Sequence, residues 1–129
     1  MERLIEVLVV DDQPRARKGL KALLATWGKV GCVHEAASGR EALTQMEWAR
    51  PDLVVMDVMM PEMDGLVTTQ QIRASWPDTR IVLISMNPDY ASEALSAGAD
   101  AFVAKSESPR ALLERLEAIT GELRGNDDE

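Results

Sequence analysis

The sequence is poorest in residues that staple, ligate soft metals or span membranes. It holds one cysteine, Cys32, and one histidine, His34. A single thiol closes no intramolecular disulfide and suits a reducing compartment. Without a second Cys or His there is neither a sulfur–imidazole metal site nor a Cys–His nucleophile pair. No apolar run approaches the roughly 18 residues of a spanning helix. The N-terminus lacks the basic, apolar, small-residue order of an export signal, because Glu2 and Glu6 interrupt it. A cytoplasmic protein with no membrane contact is expected. Positive charge is also short: 14 Lys and Arg face 22 Asp and Glu, a net charge of −8. Displacing counterions from a nucleic-acid backbone needs the opposite sign, so this chain is not expected to bind nucleic acid directly. The one basic cluster, Arg15, Arg17, Lys18 and Lys21, reads as a solvated helix face or as a docking face for an acidic partner. Neither a GxGxxG fingerprint nor a P-loop follows the first apolar run, which argues against a nucleotide site.

What remains is a chain of 129 residues, 46% of them hydrophobic. That length fits one domain, which buries roughly two-thirds of the surface its unfolded form exposes. Residues 1–121 are expected to form it, and the acidic stretch 122–129 to be a disordered tail. Short apolar runs alternate with amphipathic ones. "LIEVLVV" (Leu4–Val10), "VGCVHEA" (Val30–Ala36), "PDLVVMD" (Pro51–Asp57), "RIVLIS" (Arg80–Ser85) and "AFVAK" (Ala101–Lys105) read as strands. Pro14 opens a first helix, Ser38 caps a second with Glu41 three residues on, and Ser108-Pro109 opens the last. Asp64-Gly65 reads as a turn before a third helix, and Asn87-Pro88 opens a short fourth one. Strands that are apolar throughout, rather than alternating, imply a sheet covered on both faces. Strand–helix alternation implies parallel strands with right-handed crossovers. The expected fold is a doubly wound α/β domain with five strands and five helices.

In a parallel sheet all strand C-termini share one edge, and ligands bind there near the point where strand order reverses. This chain ends strand one on Asp11 and Asp12, strand three on Asp57, strand four on Ser85 and strand five on Lys105. Only strand two, ending near Glu35 and Ala36, looks different. Each residue alone has an ordinary reading: a cap, a loop carboxylate, a solvated lysine. Five at one edge do not. Three close carboxylates raise one another's pKa values, and a hard divalent cation relieves that repulsion. Mg²⁺ favours one or two carboxylates, waters and phosphate oxygens. An ammonium and a hydroxyl suit the remaining oxygens of a phosphoryl group, whose transfer asks mainly for positioning and charge neutralisation. Asp57 is the expected acceptor, because it stands alone at its strand end among apolar neighbours.

Four stretches, "VLVVDDQ", "DLVVMDVMMPEMDG", "IVLIS" and "GADAFVAKSESPRALL", in this order and spacing, resemble the receiver domain of two-component response regulators. The resemblance covers residues 4 to about 121, and "SESPRAL" is similar to receivers joined to helix-turn-helix DNA-binding domains. It implies a strand order of 2-1-3-4-5. It implies that Asp57 accepts a phosphoryl group from a histidine of a sensor kinase or phosphotransfer protein. Asp11, Asp12, Asp57 and the Met59 carbonyl would hold Mg²⁺, and Ser85 and Lys105 would bind phosphoryl oxygens. Ser85 and Phe102 would form the switch, while Pro61 and Gly65 would shape the loop beside the acceptor. An output face on the fourth helix, fifth strand and last helix is implied, with a homodimer through the last helix as an option. The chain departs from the usual pattern at Ser106, where many receivers have a cis proline, and at Met86, where a smaller residue is usual. Met59 and Asn87, at rim positions, imply a long-lived phosphoryl state. The rival enzyme, an Asp-nucleophile phosphohydrolase, wants a second Asp where Met59 stands. A second rival, a receiver-like module that never takes phosphate, is disfavoured by the intact Asp11, Asp12, Asp57, Ser85 and Lys105.

Overall fold

The computed structural model describes residues 3–127, with side chains for residues 3–121. Five parallel strands form one sheet in the order β2-β1-β3-β4-β5. They are β1 (Ile5–Val10), β2 (Val30–Ala36), β3 (Leu53–Asp57), β4 (Arg80–Ser85) and β5 (Ala101–Ala104). The crossover helices are α1 (Pro14–Ala25), α2 (Gly39–Ala49), α3 (Gly65–Ser75) and α4 (Ala91–Ala97), and α5 (Pro109–Asp127) follows β5. The expected doubly wound architecture and strand order are therefore present. α5 runs into the segment expected as a tail; its side chains beyond residue 121, and residues 128–129, lie outside those described.

The apolar strands serve two cores at once. Successive side chains point to opposite faces. Val7, Val9, Leu53, Val55, Val82 and Val103 meet α1 and α5 through Leu24, Leu112 and Leu116. Leu8, Val10, Val54, Met56, Ile81, Leu83 and Phe102 meet α2, α3 and α4 through Ala42, Met46, Ile72 and Ala94. The sheet is thus sandwiched between two helix layers, and its strand ends stay open.

Local chemistry explains most boundaries. Ser38 Oγ accepts from the Glu41 N–H, and Ser108 Oγ from the Ala111 N–H. The Asp64-Gly65 expectation needs correction. Asp64 is the N-cap of α3, with Oδ1 accepting from the Val67 N–H at 2.9 Å, and Gly65 is the first helical residue. The residue with positive φ in this loop is Glu62, at 66°. Gly65 is required for space instead: a Cβ there would sit 2.4 Å from the Asp57 carbonyl oxygen and 3.0 Å from Val58 Cα. The fourth helix also begins differently, as a 3₁₀ turn over Pro88–Tyr90 before α4. There are no cis peptide bonds among the described residues, so Lys105–Ser106 is trans.

The outer edge of β5 is covered by side chains. Arg115 Nη1 donates to the Phe102 carbonyl at 2.8 Å, Glu107 Oε2 accepts from the Ala104 N–H at 2.9 Å, and the Glu107 N–H closes onto the Ala104 carbonyl at 2.9 Å. On the other side of α4, Arg73 from α3 grips the Gly98, Pro77 and Thr79 carbonyls and the Asp100 carboxylate, at 2.7–3.0 Å.

Candidate functional site

The strand order reverses between β1 and β3, and the two strands end side by side on Asp11 and Asp57. Carboxylate oxygens of Asp11, Asp12 and Asp57 lie within 4.8 Å of one another. Asp11 is fully buried, Asp57 is 7% exposed, and Asp12 is half-buried. β5 delivers the counter-charge: Lys105 Nζ stands 3.2 Å from Asp57 Oδ2 and 3.3 Å from Asp11 Oδ2. The Lys105 N–H is anchored on the Ser85 carbonyl at 2.7 Å, which fixes β5 to β4 at the rim. The sequence expected Asp11, Asp12, Asp57 and Lys105 to converge, and they do.

Asp11 and Asp57 are each aimed by the backbone beside them. Asp11 Oδ1 accepts from the Gln13 N–H at 2.9 Å, and Asp57 Oδ1 from the Met59 N–H at 3.2 Å. Behind Asp57 the chain is tied twice, by Val58 N–H to the Ile84 carbonyl at 2.9 Å and by Gly65 N–H to the Val58 carbonyl at 2.8 Å. Burial pushes the Asp57 carboxyl above its ordinary pKa; Lys105 pulls it down, Asp11 pushes it up, and the net direction is upward. For Lys105 burial alone would lower the pKa, but Asp57 and Asp11 outweigh it and hold the ammonium above its ordinary value. The lysine stays cationic.

Ser85 is fully buried and its Oγ accepts from the Asn87 N–H at 3.1 Å, a bond that leaves the hydroxyl proton to be donated elsewhere. Phe102 is buried in the core between the sheet and α4. Met59 and Met86 are 58% and 72% exposed, so both thioethers stand at the rim in solvent. The Asn87 amide oxygen is occupied by the Asp89 N–H at 2.9 Å.

The basic cluster on α1 divides in two. Arg17 and Lys21 pair with Glu35 of β2, at 3.0 and 2.9 Å, while Arg15 and Lys18 are exposed, as is Lys21. The pairing was not legible in the sequence, since 18 and 14 residues separate the partners. Two cations hold the Glu35 carboxyl below its ordinary pKa, Lys21 first and Arg17 second. An apolar cavity of about 350 Å³ runs between α1 and α5, on the face of α1 away from the cluster, lined by Leu20, Leu23, Val103 and Leu112.

Two buried carboxylates, a half-buried third and one lysine meeting at the switch point of a 2-1-3-4-5 sheet define the class: a doubly wound α/β domain with a charged cluster at the carboxyl edge of its strands. Comparison with known proteins makes the assignment specific. Residues 7–117 match the response regulator receiver domain family, and the chain belongs to it. It is 37% identical over 122 residues to the uncharacterized transcriptional regulatory protein YhcZ of Bacillus subtilis, covering 93% of this chain and 57% of that protein. It is 34% identical over 108 residues to the response regulator protein VraR of Staphylococcus aureus, covering 82% of this chain and 52% of that protein. The chain thus spans about half the length of the curated relatives it matches. Among solved structures, a LuxR-family two-component response regulator from Aurantimonas superposes with a TM-score of 0.87 at 33% identity, covering 92% of this chain and 86% of that one. The receiver domain of the putative response regulator NarL from Mycobacterium tuberculosis gives 0.83 at 30% identity, covering 92% and 98%. The protein is a receiver domain of two-component response regulators.

Proposed function

We propose that Asp57 accepts a phosphoryl group from a phosphohistidine of a sensor kinase or phosphotransfer protein, in the cytoplasm. The observation that carries this reading is the meeting of three carboxylates and one ammonium where the strand order reverses. The donor set fits Mg²⁺. Asp11, Asp12 and Asp57 offer hard oxygens, the Met59 carbonyl is a further candidate, and a carboxyl raised by burial is what a cation relieves. When bound, the ion would neutralise charge on the transferring group. A bond forms between an Asp57 oxygen and phosphorus as the phosphorus–nitrogen bond breaks. The electron pair leaves on the imidazole nitrogen, which takes up a proton. Lys105, already beside Asp57, follows a phosphoryl oxygen by a charge-assisted bond. Ser85 donates its hydroxyl proton to another.

Phosphorylation then biases two packings of the rim, with Ser85 and Phe102 as the moving pair and α4, β5 and α5 as the surface that changes. A homodimer would use α5. Arg15 and Lys18, the exposed half of the basic cluster that Glu35 does not pair, form the kinase-docking face. Self-dephosphorylation is slow: neither thioether at the rim orients water, and the Asn87 amide oxygen is already bonded.

The test is incubation with Mg²⁺ and a small phosphodonor, read by intact mass. One phosphoryl adduct, absent in Asp57→Ala, supports the reading. Steady phosphate release without an adduct supports a hydrolase, and no change in either channel a receiver fold that binds without reacting.

A further inference from the structure

Arg17 sits in the second turn of α1, six residues after Asp11, and its side chain is only 16% exposed. Helical side chains lean toward the helix N-terminus, so this position reaches back over the turn that leads out of β1. Nη1 donates to the Asp11 carbonyl at 2.6 Å, and Nε donates to Glu35 Oε1 at 3.0 Å. Lys21 Nζ holds the other Glu35 oxygen at 2.9 Å. The Asp11 N–H makes the last bond to β2, on the Ala36 carbonyl at 3.1 Å, so the Asp11 carbonyl lies past the end of that ladder.

That carbonyl belongs to the peptide plane joining Asp11 to Asp12. A planar peptide leaves only the dihedrals on either side to vary. Fixing its oxygen therefore fixes how both carboxylates leave the backbone. A cation near the start of a helix is unfavourable against the helix dipole, and α1 has no acid in its first turn. Its bonds to Asp11 and Glu35 offset that placement. The guanidinium fork holds a carbonyl and a carboxylate together, in two fixed directions, which an ammonium does less well.

We propose that Arg17 is a positioning residue for the metal-ligating turn: its guanidinium sets the Asp11–Asp12 peptide, and Glu35 at the end of β2 aims and neutralises it. The proposal rests on the reading of Asp11, Asp12 and Asp57 as a Mg²⁺ site. It also gives β2 its part, since the strand that brings no group to the cluster acts through Arg17.

Charge and position predict opposite outcomes. Removing a cation beside a cation site tightens Mg²⁺ by charge alone; loosening the turn weakens it. The experiment is calorimetric titration of MgCl₂ into the full chain. Arg17→Ala should bind about tenfold more weakly, in the range usual for lost outer partners of metal ligands. Arg17→Lys keeps the charge and should fall between, and Arg50→Ala, exposed at the far end of α2, should match the parent. The parallel measurement is amide hydrogen exchange of Asp11 and Gln13, bonded to the Ala36 carbonyl and to Asp11 Oδ1, in the metal-free protein, which should speed up about tenfold in Arg17→Ala, since an amide's protection follows local opening. Binding by Arg17→Ala as tight as the parent, with unchanged exchange, overturns the proposal. If Arg17→Ala does not fold, Arg17→Lys decides: parental affinity and exchange overturn it. A parent chain that binds no Mg²⁺ refutes the site reading instead, and the exchange measurement alone then decides whether Arg17 orders the turn.

Discussion

Replacing Asp57 by asparagine should make the metal-free protein more stable at pH 7. The side chain is 7% exposed, and burial is the main influence raising its pKa. At an effective dielectric of about 20, unit charges at 4.8 Å, the bound within which the three carboxylates meet, repel by about 3.5 kcal/mol, while an ammonium at 3.2 Å returns about 5 kcal/mol. Two carboxylate neighbours, Asp11 and Asp12, thus outweigh Lys105 by about 2 kcal/mol before any cost of burial. Water reaches Asp12 and screens its share, so a net penalty of about 1 kcal/mol is expected. Asparagine keeps the shape and an oxygen for the Met59 N–H, and Lys105 keeps Asp11. A gain of that size raises the Tm of a chain this long by about 3–5 °C.

The pH dependence has a definite sign. Because folding raises the Asp57 pKa, the native state holds this proton more tightly than the unfolded chain does. The resulting stability is complete below the unfolded value of about 3.9 and is lost as pH rises through the native value. The advantage of asparagine should therefore be full at pH 7 and fade as pH falls toward about 4. Mg²⁺ should reverse the order. At 100 times its dissociation constant a ligand stabilises the parent by about 2.7 kcal/mol, and the variant lacks one donor. Differential scanning calorimetry at two pH values, with and without Mg²⁺, measures all of this. A variant that melts below the parent without metal at pH 7, or an advantage indifferent to both pH and Mg²⁺, would refute the reasoning.

Gly65→Ala should cost about 1–3 kcal/mol, because its methyl must displace the Asp57 carbonyl, and should slow adduct formation; unchanged Tm and rate would show that the loop yields freely. Arg73→Met strips donors from the carbonyls around the C-terminus of α4 and should lower stability by about 2–4 kcal/mol in urea titration; a loss under about 0.5 kcal/mol would mean water replaces the side chain. The aspartyl phosphate should outlast seconds in the purified protein, and loss of the mass adduct within seconds would disprove the role given to Met59, Met86 and Asn87. Charge reversal at Arg15 and Lys18 should slow phosphotransfer from the partner kinase without changing the reaction with a small phosphodonor; equal rates from the kinase would remove α1 as its docking face.

Much of the fold is written in short-range pattern. Apolar runs of strand length, helix caps at Ser38 and Ser108, and carboxylates or a lysine at run ends suffice to collect Asp11, Asp12, Asp57, Ser85 and Lys105. The features that escaped are those fixed by distant partners. Asp64-Gly65 reads as a turn by composition, yet the glycine answers to the Asp57 carbonyl pressing on it. Arg17 and Lys21 read as a solvated face because Glu35, which pairs with both and draws Arg17 inward, is on another strand. Nothing local marks Glu62 for a positive φ.

The covered edge of β5 has a consequence for life at high concentration. An exposed strand edge invites pairing with any extended chain, and sheets left open this way seed aggregates. Here Arg115 and Glu107 occupy the Phe102 carbonyl and the Ala104 amide. A surface proposed to recognise partners by its side chains is thereby kept from recruiting them by its backbone. The same two residues keep the β5 edges of crowded copies from pairing with one another.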